Sequence, residues 1–432
     1  MLVRQLVFGV IVLLTRTAAQ DGNSQNNVSK LQDVPEPGLF LRRSLAKATL
    51  IGNYLYIDGG EISQNEMTEA GPVFNRGRPS NPVNSTISID MSVTWSTASV
   101  KMRAIPKPPG IPSKSHGHIW TDLNENAFYS WGGFRAYADE TGEKTLYKFT
   151  ADGQGGGNWS VEVANNPEFF QTLRVVDQGA FANTDTTAYV LGGWSSKATE
   201  AGVGNQGEPI PGMISFDMKS KEFRAGTTGF SPYGTAAVLG ASMQHVPGFA
   251  ANGGKGFMLV LGGMLDRSTG ANEDRVPLNM SNLVLFDAVT MERYEQTATG
   301  EIPPTPRKGF CSAGFQNKEG GYEIFISGGQ NDNRGGSRYG DAYVLSLPGF
   351  VWSKLPDQPA GPRAGHTCVP VGVGKRKVIS IGGARAAGTW QGSDPAAQGL
   401  MLFDMTTWEW NRDYDALDER PYEAATKIKE WY

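Results

Sequence analysis

YLYIDGG (54–60), AFYSWGG (127–133), AYVLGG (188–193), FMLVLGG (257–263), EIFISGG (323–329) and KVISIGG (377–383) are six versions of one phrase. Each is a short run rich in β-branched and aromatic residues that ends in Gly-Gly. That composition predicts a buried strand stopped by a turn. The first glycines recur every 54 to 73 residues, which marks an internal repeat.

Working outward from each diglycine completes the unit. Upstream lies a turn signal, such as Gly52-Asn53 or Gly253-Gly254, and before it another apolar segment, such as AKATLI (46–51) or GHTCVPV (365–371). Downstream, an apolar run reaches an acidic or polar residue and then an aromatic one. TISIDMSVTW (86–95), MISFDMKSKEF (213–223), LVLFDAVTMERY (283–294) and LMLFDMTTWEW (400–410) are the clear cases; LYKFTADGQGGGNW (146–159) and YVLSLPGFVW (343–352) are degenerate ones. Each unit therefore reads as four strands. A lone four-stranded sheet cannot bury both faces, whereas sheets set radially bury each face against the next. The diglycine suits the close backbone approach that such convergence needs. The trailing aromatic is expected to fill the widening gap between neighbouring sheets. The predicted fold is all-β: a six-bladed β-propeller over 40–410, with seven blades as the alternative. Residues 411–432 are read as a closing segment, and a stretch near one terminus is expected to complete a terminal blade.

The array resembles the kelch-repeat family. Together with YIDGGE, PRKGFC, RAGHTC and an apolar N-terminus, it is similar to secreted or surface kelch proteins of fungi. The resemblance spans about residues 40–410. Relatives of that kind continue past an ending like PYEAATKIKEWY into a membrane span. This sequence stops at Tyr432, so no membrane span is carried over; a cell-surface location is the alternative if the chain is truncated.

Composition agrees with an extracellular protein. Met1-Leu2-Val3-Arg4, the uncharged run Leu6 to Leu14 and the small residues Thr17-Ala18-Ala19 have the order of a cleaved signal peptide, 1–19. Residues 20–39 are polar and proline-bearing, a flexible leader. Asn27, Asn84, Asn158 and Asn279 begin N-x-Ser/Thr sequons, candidate glycosylation sites in a secreted chain. The two cysteines, Cys311 and Cys368, lie in first strands of consecutive units with a one-residue offset. That offset lets the side chains face each other, so a disulfide is predicted. Lys plus Arg is 39 and Asp plus Glu is 43, a net charge of −4, which gives no electrostatic case for nucleic acid.

The candidate site follows from topology. Strands alternate in direction, so connections after the second and fourth strands of every unit emerge on one face. The long connections, about 61–85, 194–212, 264–282 and 384–399, fall there. Recognition of a protein or cell-wall glycan is expected on that face. Arg43, Lys114, Arg307 and Arg363 precede first strands and are candidate binding residues for carboxylates or acidic sugars; the competing reading is that each ties down its own turn. His116-Gly117-His118 reads as an H-x-H on a strand, both rings on one side, with no further ligand at metal spacing. His366 reads as structural. Asp58 and Glu61 flank the first diglycine, where a carboxylate pair for sugar hydrolysis is conceivable. The alternative to a binding module is a galactose-oxidase-like or carbohydrate-active enzyme. Resemblance to copper radical oxidases would imply two His, two Tyr and a Cys joined to one Tyr, and these residues do not match residue by residue. No catalytic residue, metal or cofactor is predicted.

Overall fold

The computed structural model describes residues 31–432 except 138–143, 205–206, 227–235, 250–252, 269–273, 332–335 and 386–388. The expected signal peptide, most of the expected leader and Asn27 lie outside the described residues. The fold is all-β and is built of many small antiparallel sheets. Among the described residues, six meanders recur in chain order.

Sheet I comprises Lys47–Ile51, Tyr54–Asp58, Ser85–Asp90 and Met102–Pro106. Sheet II comprises His118–Asp122, Ala127–Trp131, Leu146–Ala151 and Gly157–Glu162. Sheet III holds Ala180–Asn183, Thr187–Leu191, Met213–Asp217 and Glu222–Gly226. Sheet IV holds Ser242–Val246, Phe257–Leu261, Asn282–Asp287 and Arg293–Thr297. Sheet V holds Cys311–Gln316, Tyr322–Ser327, Ala342–Leu347 and Val351–Leu355, with Thr299–Gly300 added in parallel at its outer edge. Sheet VI holds Ala364–Val371, Lys377–Ala384, Leu400–Asp404 and Glu409–Asn411.

The apolar core lies between sheets. Leu259 and Leu285 of sheet IV meet Ile324 and Leu345 of sheet V. Trp120 and Trp131 of sheet II meet Val190 and Phe216 of sheet III. Leu55 and Ile87 of sheet I meet Ile379 and Leu402 of sheet VI, so the last sheet packs against the first. First strands of successive sheets are also neighbours, with Ala364–Val371 beside Lys47–Ile51.

The diglycines explain how the sheets approach. All six first glycines have positive φ, from 56° to 73°. A Cβ on Gly59 would sit 2.1 Å from Lys114 O, and one on Gly328 would sit 2.5 Å from Arg363 O. On Gly382 it would sit 2.6 Å from Arg43 O, across the boundary between sheets VI and I. The second glycine uses the same carbonyl: Gly60, Gly263 and Gly329 donate N–H to Lys114 O, Arg307 O and Arg363 O at 2.8–2.9 Å.

Three expectations need correction. The long connections are not plain loops. The one after Gly60 folds into Glu61–Thr68 paired with Gly71–Phe74, and strand Phe40–Ser44 joins it. The one after Gly193 carries a Trp194–Ser195 and Glu208–Pro209 hairpin. The one after Gly263 pairs Met264–Asp266 with Arg275–Pro277 and with Ala237–Leu239. Second, Tyr294 is 53% exposed and fills no gap. Phe223 and Trp410 lie opposite Phe216 and Phe403, whereas sheet IV sets Arg293 opposite Phe286. That one-residue slip turns the aromatic to the other side of its strand. Third, among the described residues no terminal segment completes sheet VI, whose four strands are contiguous. Residues 413–432 instead run as a strap over the turn ends of three sheets. Asp413–Tyr414 pairs with Trp95–Ser96 beside sheet I. Tyr422 N–H bonds Gly374 O at the first turn of sheet VI, and the Tyr432 hydroxyl accepts from Gly349 N–H at 2.9 Å in sheet V.

Candidate functional site: the mouth of the axial channel

The six segments that lead into the first strands form the rim of an axial channel. At equivalent points Leu45, His116, Gln178, Gly240, Gly309 and Gly365 have φ between 54° and 74°. The rim is laced by backbone bonds: Leu45 N–H to Gly365 O, Gly365 N–H to Gly309 O, Gly309 N–H to Gly240 O and Gly240 N–H to Gln178 O, with His116 N–H to Leu45 O. The left-handed turn is what lets five of these segments donate to a neighbour before dropping into the wall. Leu45, His116 and Gln178 adopt it without being glycine.

The four expected binding residues are close to this rim, but their side chains are buried. Arg307 donates to both Asp341 oxygens, at 2.7 and 3.0 Å, and to Gly328 O at 3.1 Å. Arg363 donates to Gly382 O at 2.8 Å and to Asp394 at 3.0 Å. Each of these guanidiniums thus clips the diglycine of its own sheet, while its carbonyl receives the diglycine of the sheet before. Arg43 donates to Asp33 O at 3.0 Å, and burial lowers its pKa to about 10. Lys114 Nζ lies 5.2 Å from the Tyr147 ring centre. The structure brings the four to one level of the fold, facing between sheets rather than into the opening.

The opening is lined by the next residues along. A cavity of about 310 Å³ at the mouth is bounded by Lys47, Lys308 and Arg338, with His116, Phe181 and Trp390. No Asp or Glu lines it among the described residues. Lys47 Nζ lies 5.2 Å from the Phe181 ring centre, and burial lowers its pKa to about 8. Arg338 donates to Ala364 O and Ala384 O, and burial with Arg42 nearby lowers it to about 10. Burial, then the positive charges of Lys47 and Lys308, pushes His116 down to about 3, so its ring is neutral at physiological pH. Asp341 and Asp394, which could have neutralised this mouth, are committed to Arg307 and Arg363. Sequence reasoning reached the right loop and stopped one residue short at Arg307; Lys308 is the side chain that turns to the opening. Successive residues point to opposite sides, and that alternation was the usable signal.

His116 and His118 do not share a side. The strand begins at His118, and His116 sits in the left-handed rim turn before it. His118 is buried with Nδ1 3.2 Å from Trp131 O, and its ring meets Phe181 edge-on at 5.4 Å. His366 is 4% exposed and packs against Gly328. Among the described residues, no group of three His, Cys, Asp or Glu is placed to hold a metal ion. Asp58 is buried, accepts from Thr86 Oγ1 at 2.8 Å and pairs with Lys107 at 3.0 Å. Glu61 accepts from Ser80 Oγ at 2.6 Å, and burial raises its pKa. Each carboxylate is thus held by its own partners.

Cys311 and Cys368 are joined by a disulfide with Cα atoms 5.3 Å apart, linking the first strands of sheets V and VI along the channel. Asn84, Asn158 and Asn279 are all exposed. Asn279 Oδ1 accepts from Ser281 Oγ at 2.9 Å within its own sequon. No helix among the described residues is long and apolar enough to cross a membrane.

Small antiparallel meanders whose first strands neighbour one another define an all-β, propeller-like protein. Among solved structures, the chain is similar to one described as "Structure of YjhT", with a TM-score of 0.56 at 12% identity. The match covers 86% of this chain and 97% of that one, and at such identity it speaks to fold alone. No family model and no curated protein sequence matches the chain.

Proposed function

We propose that the chain is a secreted, closed six-bladed kelch-type β-propeller that acts as a non-catalytic binding module, holding a protein or cell-wall glycan on its long-connection face. One observation carries this reading: three of the connections after the second strands, those of sheets I, III and IV, are built into hairpins on the face where the channel mouth opens. Hairpins hold side chains in place for recognition at lower ordering cost than open loops. The disulfide and the exposed sequons Asn84, Asn158 and Asn279 support an extracellular setting. The oxidase alternative is disfavoured because the two sulfurs are bonded to each other and leave no thiol for a tyrosine cross-link. The test is to secrete the chain from a eukaryotic host and probe it on glycan and surface-protein arrays. Selective binding that is lost when the 194–209 hairpin is shortened supports the module. Binding to neither array, or turnover of a sugar substrate, overturns it.

A further inference from the structure

The strap at 413–432 sits on a titratable group. Phe315, Glu323 and Ser346 lie directly opposite one another on three neighbouring strands of sheet V, so their side chains form one row on one face. The strap lies along that row. The Tyr422 ring centre is 5.4 Å from that of Phe315, and the Tyr432 hydroxyl is 3.1 Å from Ser346 Oγ. Glu323, between them, is fully buried. Its Oε1 accepts from Asn317 Nδ2 at 3.0 Å, and Gly321 N–H fixes that carboxamide by donating to Asn317 Oδ1 at 2.7 Å. Glu323 Oε2 and the Tyr422 hydroxyl are cut off from solvent, and neither completes a hydrogen bond.

A carboxylate without a cation is unfavourable in such a place, so the neutral acid is preferred. Among the described residues, the charged group that bears on Glu323 is another acid, Glu319 in the adjoining turn. Lys318, in the same turn, pairs with Glu423 of the strap. Asp404 of sheet VI, which bears on Tyr422, pairs with Arg376. On the opposite face of the strand, the Tyr322 hydroxyl meets His245 only at its backbone carbonyl. Burial lifts the Glu323 carboxyl to about 7; the Tyr422 hydroxyl and Asn317 pull against that rise, and Glu319 adds to it.

We infer that the strap is a pH-released latch, seated while the Glu323 carboxyl keeps its proton and loosened from sheets V and VI once that proton is lost. The sign follows from linkage. Glu323 is raised while the strap covers it and returns to about 4 in water. Seating is therefore full below about pH 4 and weakens as pH rises to about 7, by up to about tenfold per unit. The other carboxylates of the seat act in the opposite sense and at lower pH. Lys318 and Lys429 lower Glu423, Arg420 lowers Asp418, and Lys427 lowers Glu301, so these acids are ionised before the window in which Glu323 titrates.

The test is hydrogen exchange of the strap segment 418–431 in the full chain, corrected for the intrinsic rate and read at pH 5 and pH 7. Protection is expected to fall tenfold or more between the two. Glu323→Gln, neutral at both, is expected to keep equal protection, whereas Asp177→Asn, on the rim segment of sheet III, is expected to show the wild-type fall. Constant or rising protection in the wild type overturns the proposal, as does an undiminished fall in Glu323→Gln. If Glu323→Gln fails to fold, Tyr422→Phe serves. It keeps a ring on Phe315 and removes the hydroxyl that favours the anion, so the fall should continue above pH 7; a wild-type profile in that variant overturns the proposal.

Discussion

Replacing Gly382 with alanine tests whether the first and last sheets abut as described. Gly382 has φ +73°, and an added Cβ would lie 2.6 Å from Arg43 O and 3.1 Å from Arg43 C. The left-handed backbone alone costs an alanine about 1–2 kcal/mol. Relieving the contact requires the Arg43 backbone to shift, and overpacking of that kind adds about 1–3 kcal/mol. Gly382→Ala is therefore expected to destabilise by about 2–5 kcal/mol. Gly372, in the first turn of the same sheet, has φ +89° and nothing within 4 Å of a built Cβ. Gly372→Ala carries the backbone cost without the contact, about 1–2 kcal/mol. Reversible urea unfolding of both variants beside the wild type measures the difference. Equal shifts in midpoint for the two substitutions would refute the close approach of Gly382 to Arg43, and with it this account of the diglycines.

Blocking the Cys311–Cys368 bridge by Cys311→Ser with Cys368→Ser should cost about 4 kcal/mol on the loop-entropy account for a separation of 57, read from urea midpoints; alkylation of the denatured, unreduced wild type should find no thiol. Tyr414 is fully buried, stacks on Trp95 at 5.0 Å and donates to Met91 O, so Tyr414→Ala should destabilise by about 3–5 kcal/mol, whereas Trp431→Ala, at the exposed end of the strap, should change little. Burial raises Asp177 to about 7, above its unfolded value of about 4, so the native state keeps a proton that the unfolded chain releases. Stability from this group is full below about pH 4 and is lost as pH rises through about 7; Asp177→Asn should flatten the thermal midpoint across that window. Endoglycosidase treatment of the secreted chain should lower its mass if Asn84, Asn158 or Asn279 carries a glycan, and an unchanged mass would remove the glycoprotein proposal.

Much of the architecture was legible because the repeat is written in strong local terms. Each diglycine marks a strand end and a close approach at once, and the one-residue offset of Cys311 and Cys368 carried the disulfide. What was not legible depends on neighbours far away in the chain. Leu45 and His116 take a glycine-like conformation in which each N–H meets the carbonyl of an adjacent rim segment, which no local pattern reports. Arg307 and Lys308 are adjacent cations in sequence; only the sheet orientation decides that one clips Gly328 and the other faces the opening. The hairpin at 264–277 hides behind Arg275 and Pro277, residues that read as loop, because its first strand, Met264–Asp266, also pairs with Ala237–Leu239 from before the sheet begins.

The strap has a consequence for how the molecule can be handled. It carries Tyr432 to the turn between the last two strands of sheet V, at the opposite end of the strands from the rim. A support attached at that residue would hold the protein with its opening directed outward. Attachment ahead of Leu39 would place the linker beside Gln64 and the hairpins that border the opening. Immobilised assays done in the two orientations would thus sample different faces of one particle, and a ligand of the opening should be captured fully in the first and impeded in the second.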